Sequence, residues 1–492
     1  MYDGTHGAGG ASGSNGAHAS GASTAGDVAR PIPLVADGRP PDGRPARRRL
    51  GVAIVGLGGA VATTAVAGIA LLRAGAVDTT GLPLAGLPAD LTAELAHYED
   101  LVFGGWDLDP SDLARAAAAH RVLDRDQLEA AREALAAVAP WPAVGSARWC
   151  RNIDGDAFRH RVDAPGARAA VDAIRADLRE FRRRHALDGV VMLNLASTEA
   201  RPDVDAPAFA TPEGFEAAVD RDDEQLNPAV LYAYAAILEG VPYGNFTPSV
   251  AVDVPALTEL ARRRGVPVAG KDGKTGQTFV KTVIAPALRE RALHVDGWYS
   301  HNILGNRDGL ALRDRDSLSS KLGTKGSVLD GILGYPVEDH VVTIEYYRPR
   351  GDNKEAWDTV DLRGFLGQPM QLKLNFLCKD SILAAPLAVE IARTLDLARR
   401  RGDGGVQEQL GVFFKQPGTR VPGAPPEHGF PEQQRRLLAW LGGDPAPDLA
   451  AVEIPLPPRA ERAPADRAPV AAAPADRAPA DRPPVPLVAP AA

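Results

Sequence analysis

The stretch whose reading decides the fold is "RPARRRLGVAIVGLGGAVATTAVAGIALLRAG", from Arg44 to Gly75. Three consecutive arginines precede a long run without a charge. A transmembrane helix needs about 20 predominantly apolar residues, and Leu50–Leu72 is long enough. Against that reading, Gly56, Gly58 and Gly59 stand directly after the β-branched run "VAIV", and "ATT" (Ala62–Thr64) opens a stretch of helical composition. Strand, tight turn and helix in that order suit a dinucleotide. Glycines let the backbone approach a pyrophosphate, and the helix N-terminus offers unpaired N–H groups and a positive dipole end. The spacing is G-x-G-G, with Val61 where the third glycine of the usual fingerprint would stand. A dinucleotide loop is the favoured reading; a membrane helix and an ordinary buried strand–helix unit stay open on these residues alone. The fingerprint also expects an acid about 20 positions on to hold a ribose. Asp78 has that spacing in a poor strand, "GAVDTTG", whereas Asp107 ends the better strand "LVFGGWD".

The remainder of the chain narrows the function classes. Net charge is −8 over 492 residues, and no basic block with interleaved aromatics occurs, so nucleic-acid binding is not expected. Cys150 and Cys378 are far apart and outside any CxxC, which argues against a disulfide scaffold or zinc site and fits a reducing cytoplasm. The ten histidines, His301 among them, show no metal-ligand spacing. Lysine usage is more informative. Only nine of the 55 basic residues are lysine, and all nine fall between Lys271 and Lys415. Arginine stays protonated whereas lysine can be tuned to exchange protons, so this window is the expected active site.

Residues 1–49 (Gly, Ala, Ser, Pro) and the tail 446–492, with its repeated "PADRAP", read as disordered. Between them, strand and helix patterns alternate: "GVAIVGL", "EDLVFGGWDLD" and "GVVMLNLAS" as strands; "SDLARAAAAHRV", "DRDQLEAAREALAAV", "AVDAIRADLREFRRRHAL" and "NPAVLYAYAAILEG" as helices. Such alternation predicts a mainly parallel sheet with helices on both faces. After Gly270, "GWYSHNILGN", "HVVTIEYYRP" and "PMQLKLNFL" read as a half-buried antiparallel sheet, and "DSILAAPLAVEIARTLDLARRRG" returns to helix. The expected fold class is α/β. A Rossmann-type domain (50–269, resumed at 380–445) is interrupted by an α+β catalytic and oligomerisation domain (270–379).

Six stretches, "VGLGGAVATT", "GGWDLD", "ILEGVPYGNFTPS", "GKDGKTGQT", "HNILGNRDG" and "CKDSILAAP", make residues 50–440 resemble the inositol-3-phosphate synthase (myo-inositol-1-phosphate synthase) family. The resemblance implies NAD as cofactor, glucose 6-phosphate as substrate and a homotetramer, with no membrane partner. It puts Gly56, Gly58, Gly59, Ala60, Val61, Thr64, Asp107, Ser197, Asp272 and Thr275 at the NAD. It assigns catalysis to Lys321, Lys354, Lys415, Lys325, Asp308 and Asp380, and substrate binding to Lys274, Lys325, Asn306 and Asp308. No metal is implied. The chain departs from the family pattern at Thr275 (commonly serine), Lys271 (an acid), Lys379 (glutamate), Ala60 and Val61 (asparagines), and at "STEA" where "NTER" is usual.

The implied reaction is redox-neutral. The C5 hydroxyl is oxidised, the acidified C6 position enolises and attacks the C1 aldehyde, and the ring ketone is reduced again. Each step moves a proton or builds charge on oxygen, which ammonium groups serve. On this reading Lys321 takes the C5 hydroxyl proton. Lys415, supported by Lys354, stabilises the enolate and alkoxide, while Lys325 and Lys274 hold the phosphate. Lys281, Lys373 and Lys379 are expected to be surface cations. The alternatives are a simple NAD-dependent sugar-phosphate dehydrogenase, a cyclase for another sugar phosphate, and a non-catalytic NAD-binding protein.

Overall fold

The computed structural model describes residues 47–150, 159–305, 326–421 and 423–444. The expected roles of Lys321, Lys325, Asn306 and Asp308 therefore fall outside the described residues.

Leu50–Val55 forms the first strand, β1, and every one of its residues is buried. It lies inside a seven-stranded sheet with β2 (Leu101–Asp107), β3 (Trp141–Pro142), β4 (Gly189–Asn194), β5 (Tyr243–Asn245), β6 (Pro267–Gly270) and β11 (Gly405–Val406). The order is β11-β6-β5-β4-β1-β2-β3, and each pairing is parallel. Strands buried on both faces need a continuous apolar run rather than alternation, which is what "LGVAIV" and "VVML" supply. The helix Ala60–Arg73 buries Ala62, Val66 and Ile69 on one face of the sheet, together with the helix Asp380–Arg401. The helices Ala167–Arg184 and Pro228–Leu238 cover the other face. Among the described residues, no helix is long and apolar enough to cross a membrane; the run after the arginines is strand, turn and packed helix.

Local signals place the helix starts. Asp112 and Asp124 each accept a backbone N–H at the helix entry, and Asp124 with Gln127 completes a reciprocal capping box. Gly402 closes the long return helix in the left-handed conformation.

The chain leaves this sheet after β6 and builds a second, four-stranded one of order β10-β9-β7-β8. Its strands are β7 (His294–Leu304), β8 (Asp339–Tyr346), β9 (Asn353–Arg363) and β10 (Pro369–Lys379). Two expectations are corrected here. The sheet is mixed, because β7 and β8 run parallel while β9 pairs antiparallel with both β7 and β10. In addition, β9 is a full strand where no strand was expected. "NKEAWDTVDLR" buries Ala356, Asp358, Val360 and Leu362 on one face and presents charge on the other, so its hydropathy is low. The helices Gly276–Glu290 and Gly326–Leu333 pack under this sheet through Ala285, Leu288, Leu329 and Ile332. After β10 the chain returns along the Asp380–Arg401 helix to β11, which pairs with β6 of the first sheet.

Candidate active site

Because all seven strands of the first sheet are parallel, their carboxyl ends share one edge. The strand order reverses direction between β1 and β4, and the crevice at such a switch point is where these sheets hold ligands. The β1 turn opens there. Gly56 has φ +83°, and a Cβ on it would lie 2.7 Å from the Ala196 Cα after β4. No other residue fits that approach. The helix that follows starts at Ala60 with no side-chain cap and no acid in its first turn. Its first N–H groups are therefore available to an anion, as a pyrophosphate cradle requires.

Asp107 ends β2 beside this turn. Its carboxylate accepts the Gly58 N–H (2.8 Å) and the Asp109 N–H (3.0 Å), and burial raises its pKa. Asp78, in contrast, is exposed in a turn where it accepts the Thr80 N–H. His120, which the sequence did not single out, reaches back to the Gly58 carbonyl at 2.7 Å. Ser197 is exposed just past β4. Thr64 is buried, its hydroxyl donating to the Ala60 carbonyl at 2.7 Å, so it shapes the helix start rather than facing the crevice. The turn, the uncapped helix and the strand-end acid together fit NAD.

The β6 end carries "GKDGKTGQT". Asp272 has φ +60°, and its carboxylate accepts the Lys415 ammonium at 2.8 Å. The two backbones are also joined, through Lys415 N–H to Asp272 O and Lys274 N–H to Phe413 O. Three residues on, Thr275 is the N-cap of the Gly276–Glu290 helix, and its hydroxyl donates to Asp380 at 3.1 Å. Lys354, from β9, lies 3.5 Å from the same Asp380 oxygen. A Cβ at Gly276 would come within 3.1 Å of the Lys354 ammonium, and its φ of +59° likewise calls for glycine. A helix N-terminus, an ammonium and a hydroxyl thus converge on the Asp380 carboxylate. Lys354 and Lys415 are both mostly buried, with side-chain exposures of 14% and 20%.

Lys274 is not brought to this cluster. Its ammonium is buried against the Gln433 side chain of the Phe430–Leu441 helix, and burial lowers its pKa to about 7. The nearby His428 is pushed to about 4, by burial and then by Lys274. The sequence departures also acquire partners: Lys271 pairs with Asp253 at 2.6 Å, and Lys379 donates to the Val122 carbonyl at 2.5 Å. Lys281 is no surface cation. It is buried under the second sheet, 2.7 Å from His340 Nε2, with its pKa lowered to about 8 by burial. Only Lys373 of the three is exposed.

Comparison with known proteins bears on the same edge. A family model described as myo-inositol-1-phosphate synthase, an NAD-binding family, matches residues 85–442. Inositol-3-phosphate synthase 1 of Bacteroides thetaiotaomicron is 39% identical over 428 residues, covering 83% of this chain and 99% of that protein. Isozyme 1 of Arabidopsis thaliana inositol-3-phosphate synthase is 34% identical over 314 residues, covering 62% and 61% respectively. The crystal structure of inositol-3-phosphate synthase from Caenorhabditis elegans superposes with a TM-score of 0.75 at 28% identity, over 81% of this chain and 87% of that one.

Proposed function

The chain belongs to the myo-inositol-1-phosphate synthase family, and from that premise we propose that it cyclises D-glucose 6-phosphate to 1D-myo-inositol 3-phosphate. The observation that carries the reading is a pair of ammonium–carboxylate contacts, Lys415–Asp272 and Lys354–Asp380, in a chain whose parallel sheet also carries a glycine turn suited to a dinucleotide. Bound NAD supplies a hydride acceptor for C5 and then a donor to the ring ketone. The protein's own groups handle the charge. Lys415, aimed by Asp272, stabilises the enolate oxygen and the alkoxide formed at ring closure; preorganised cations in a dry site serve this better than water. Lys354, oriented by Asp380 beside the Thr275–Gly276 helix start, supports the same oxyanions. Lys321 takes the C5 hydroxyl proton, and Lys325, with Asn306 and Asp308, serves to bind the substrate. Lys274 anchors the loop to the Phe430–Leu441 helix instead of touching phosphate.

The cofactor side is served by Gly56, Gly58, Gly59, Ala60 and Val61 at the pyrophosphate, Asp107 at the adenosine ribose, and Ser197 with Asp272 and Thr275 toward the nicotinamide. The protein is further proposed to be a cytoplasmic homotetramer. The second sheet leaves Tyr299, Val341, Trp357 and Leu377 exposed on the face away from its helices, an apolar patch that a second copy would cover.

Substrate carrying deuterium at C5 tests the reading. An internal oxidation and re-reduction returns the label to the product carbon. Loss of label into free NADH would point to a dehydrogenase instead.

A further inference from the structure

The motif "ILEGVPYGNFTPS" ends in a connected polar cluster at the sheet edge. The loop after β5 has no regular secondary structure, and its shape is set by side chains. Asn245 is fully buried; its Oδ1 accepts the Thr247 N–H (3.3 Å) and hydroxyl (3.1 Å), while its amide donates to the Ser249 carbonyl (2.8 Å). The Thr247 hydroxyl in turn accepts the Ser249 N–H at 3.1 Å. Ser249 Oγ accepts the Glu199 N–H at 3.0 Å, on the loop that carries Ser197. Local side-chain-to-backbone bonds of this kind take the place of a ladder.

The consequence lies on the next strand. With the loop fixed, the Thr247 carbonyl accepts the Asp272 N–H at 3.1 Å, and the Phe246 carbonyl accepts the Gly273 N–H at 2.9 Å. Asp272 is in the left-handed region, which a non-glycine residue rarely adopts, so its conformation has to be held from outside. Thr247 holds it from one side and the Lys415 N–H from the other.

We propose that the Thr247 hydroxyl is a positioning group: through Asn245 and Ser249 it fixes the loop that aims Asp272 at Lys415, and through Glu199 it keeps the Ser197 loop in register with that pair. The inference rests on the reading of Lys415 as catalytic. Hydride transfer and enolate stabilisation occur on one substrate, so the two loops must keep a common geometry, and a displacement near 1 Å can cost ~10²-fold.

The test compares Thr247→Val, which keeps the shape and removes the hydroxyl, with Thr247→Ser, which restores it, in the full chain with NAD and glucose 6-phosphate. Thr247→Val is expected to lower kcat by about 10- to 100-fold with KM changed less than about twofold. Thr247→Ser is expected to recover kcat to within about twofold of the parent. Parental kcat in Thr247→Val, a loss confined to KM, or no recovery in Thr247→Ser would each overturn the proposal. Should Thr247→Val fail to fold, Thr247→Ala takes its place; it removes the same hydroxyl, with its bonds to the Asn245 Oδ1 and from the Ser249 N–H. A kcat loss of several-fold is expected there, and full kcat overturns the proposal. Lys415→Met separates the two readings. If it turns over normally, the catalytic reading of the pair fails whatever Thr247 does. If it is inactive while Thr247→Val is normal, only the present inference fails.

Discussion

Two parts of one sheet edge are built from different materials. The cofactor side, after β1 and β2, offers backbone N–H groups, glycines and the Asp107 carboxylate. The chemical side, where the ends of β6 and β9 meet the chain beyond β11, offers ammonium groups, each held against its own carboxylate. The cofactor side has only to recognise fixed phosphates, which a rigid backbone does well. The chemical side has to meet charge that comes and goes, which needs groups that can respond. Substitutions on the two sides should therefore fail differently.

The largest effect is expected from Lys415→Met, which should reduce kcat by ~10³-fold or more while leaving the Kd for NAD within about threefold. Steady-state kinetics and NAD titration by tryptophan fluorescence check both halves. A comparable loss of NAD affinity would dissolve the contrast. Gly56→Ala should do the opposite. Its Cβ would press on the Ala196 backbone at 2.7 Å with φ +83°, so NAD affinity should fall by about 10-fold or more. Thr275→Val removes a hydroxyl bonded to Asp380 at 3.1 Å. It should lower kcat/KM by about 3- to 10-fold, in line with the net worth of one hydrogen bond.

How much of this was legible in the chain follows the same division. The β1 turn could be read because its glycines are neighbours and their constraint is local. The helix entries at Asp112 and Asp124 and the Gly402 stop were readable for the same reason. The Asp272–Lys415 pair joins residues 143 positions apart, and no local pattern announces the pairing; lysine's confinement to one window and the resemblance named the two residues but not their contact. β9 escaped because a strand with one charged face has little net hydropathy. Lys281 was misjudged because a lysine in an amphipathic helix normally marks the wet face, whereas here His340 and the Trp298 ring receive its ammonium. His120 carried no sequence signal, since it meets the glycine turn through a backbone carbonyl, which leaves no mark on residue identity.

The smallest predicted effect concerns stability. Burial raises the Glu199 carboxyl from 4.5 to about 7, against the hydrogen bonds from Asn227 and the Ala229 N–H. The folded chain therefore keeps a proton there that the unfolded chain has released between those two values. The group's contribution to stability accordingly falls as pH rises through that window. Glu199→Gln should match the parent below the window and exceed it by about 1–3 kcal/mol above it, as read by urea denaturation at both pH values. Equal stability at both would show that the carboxyl is ionised in the fold at little cost.

The central claim, that this edge runs an internal redox cycle rather than a net oxidation, is tested most directly by product analysis. The purified full chain is incubated with NAD⁺ and glucose 6-phosphate, with phosphorus NMR and chiral analysis of the product alongside NADH absorbance. The account predicts accumulation of 1D-myo-inositol 3-phosphate with no net NADH over many turnovers. Stoichiometric NADH accompanied by an open-chain or lactone product would contradict it.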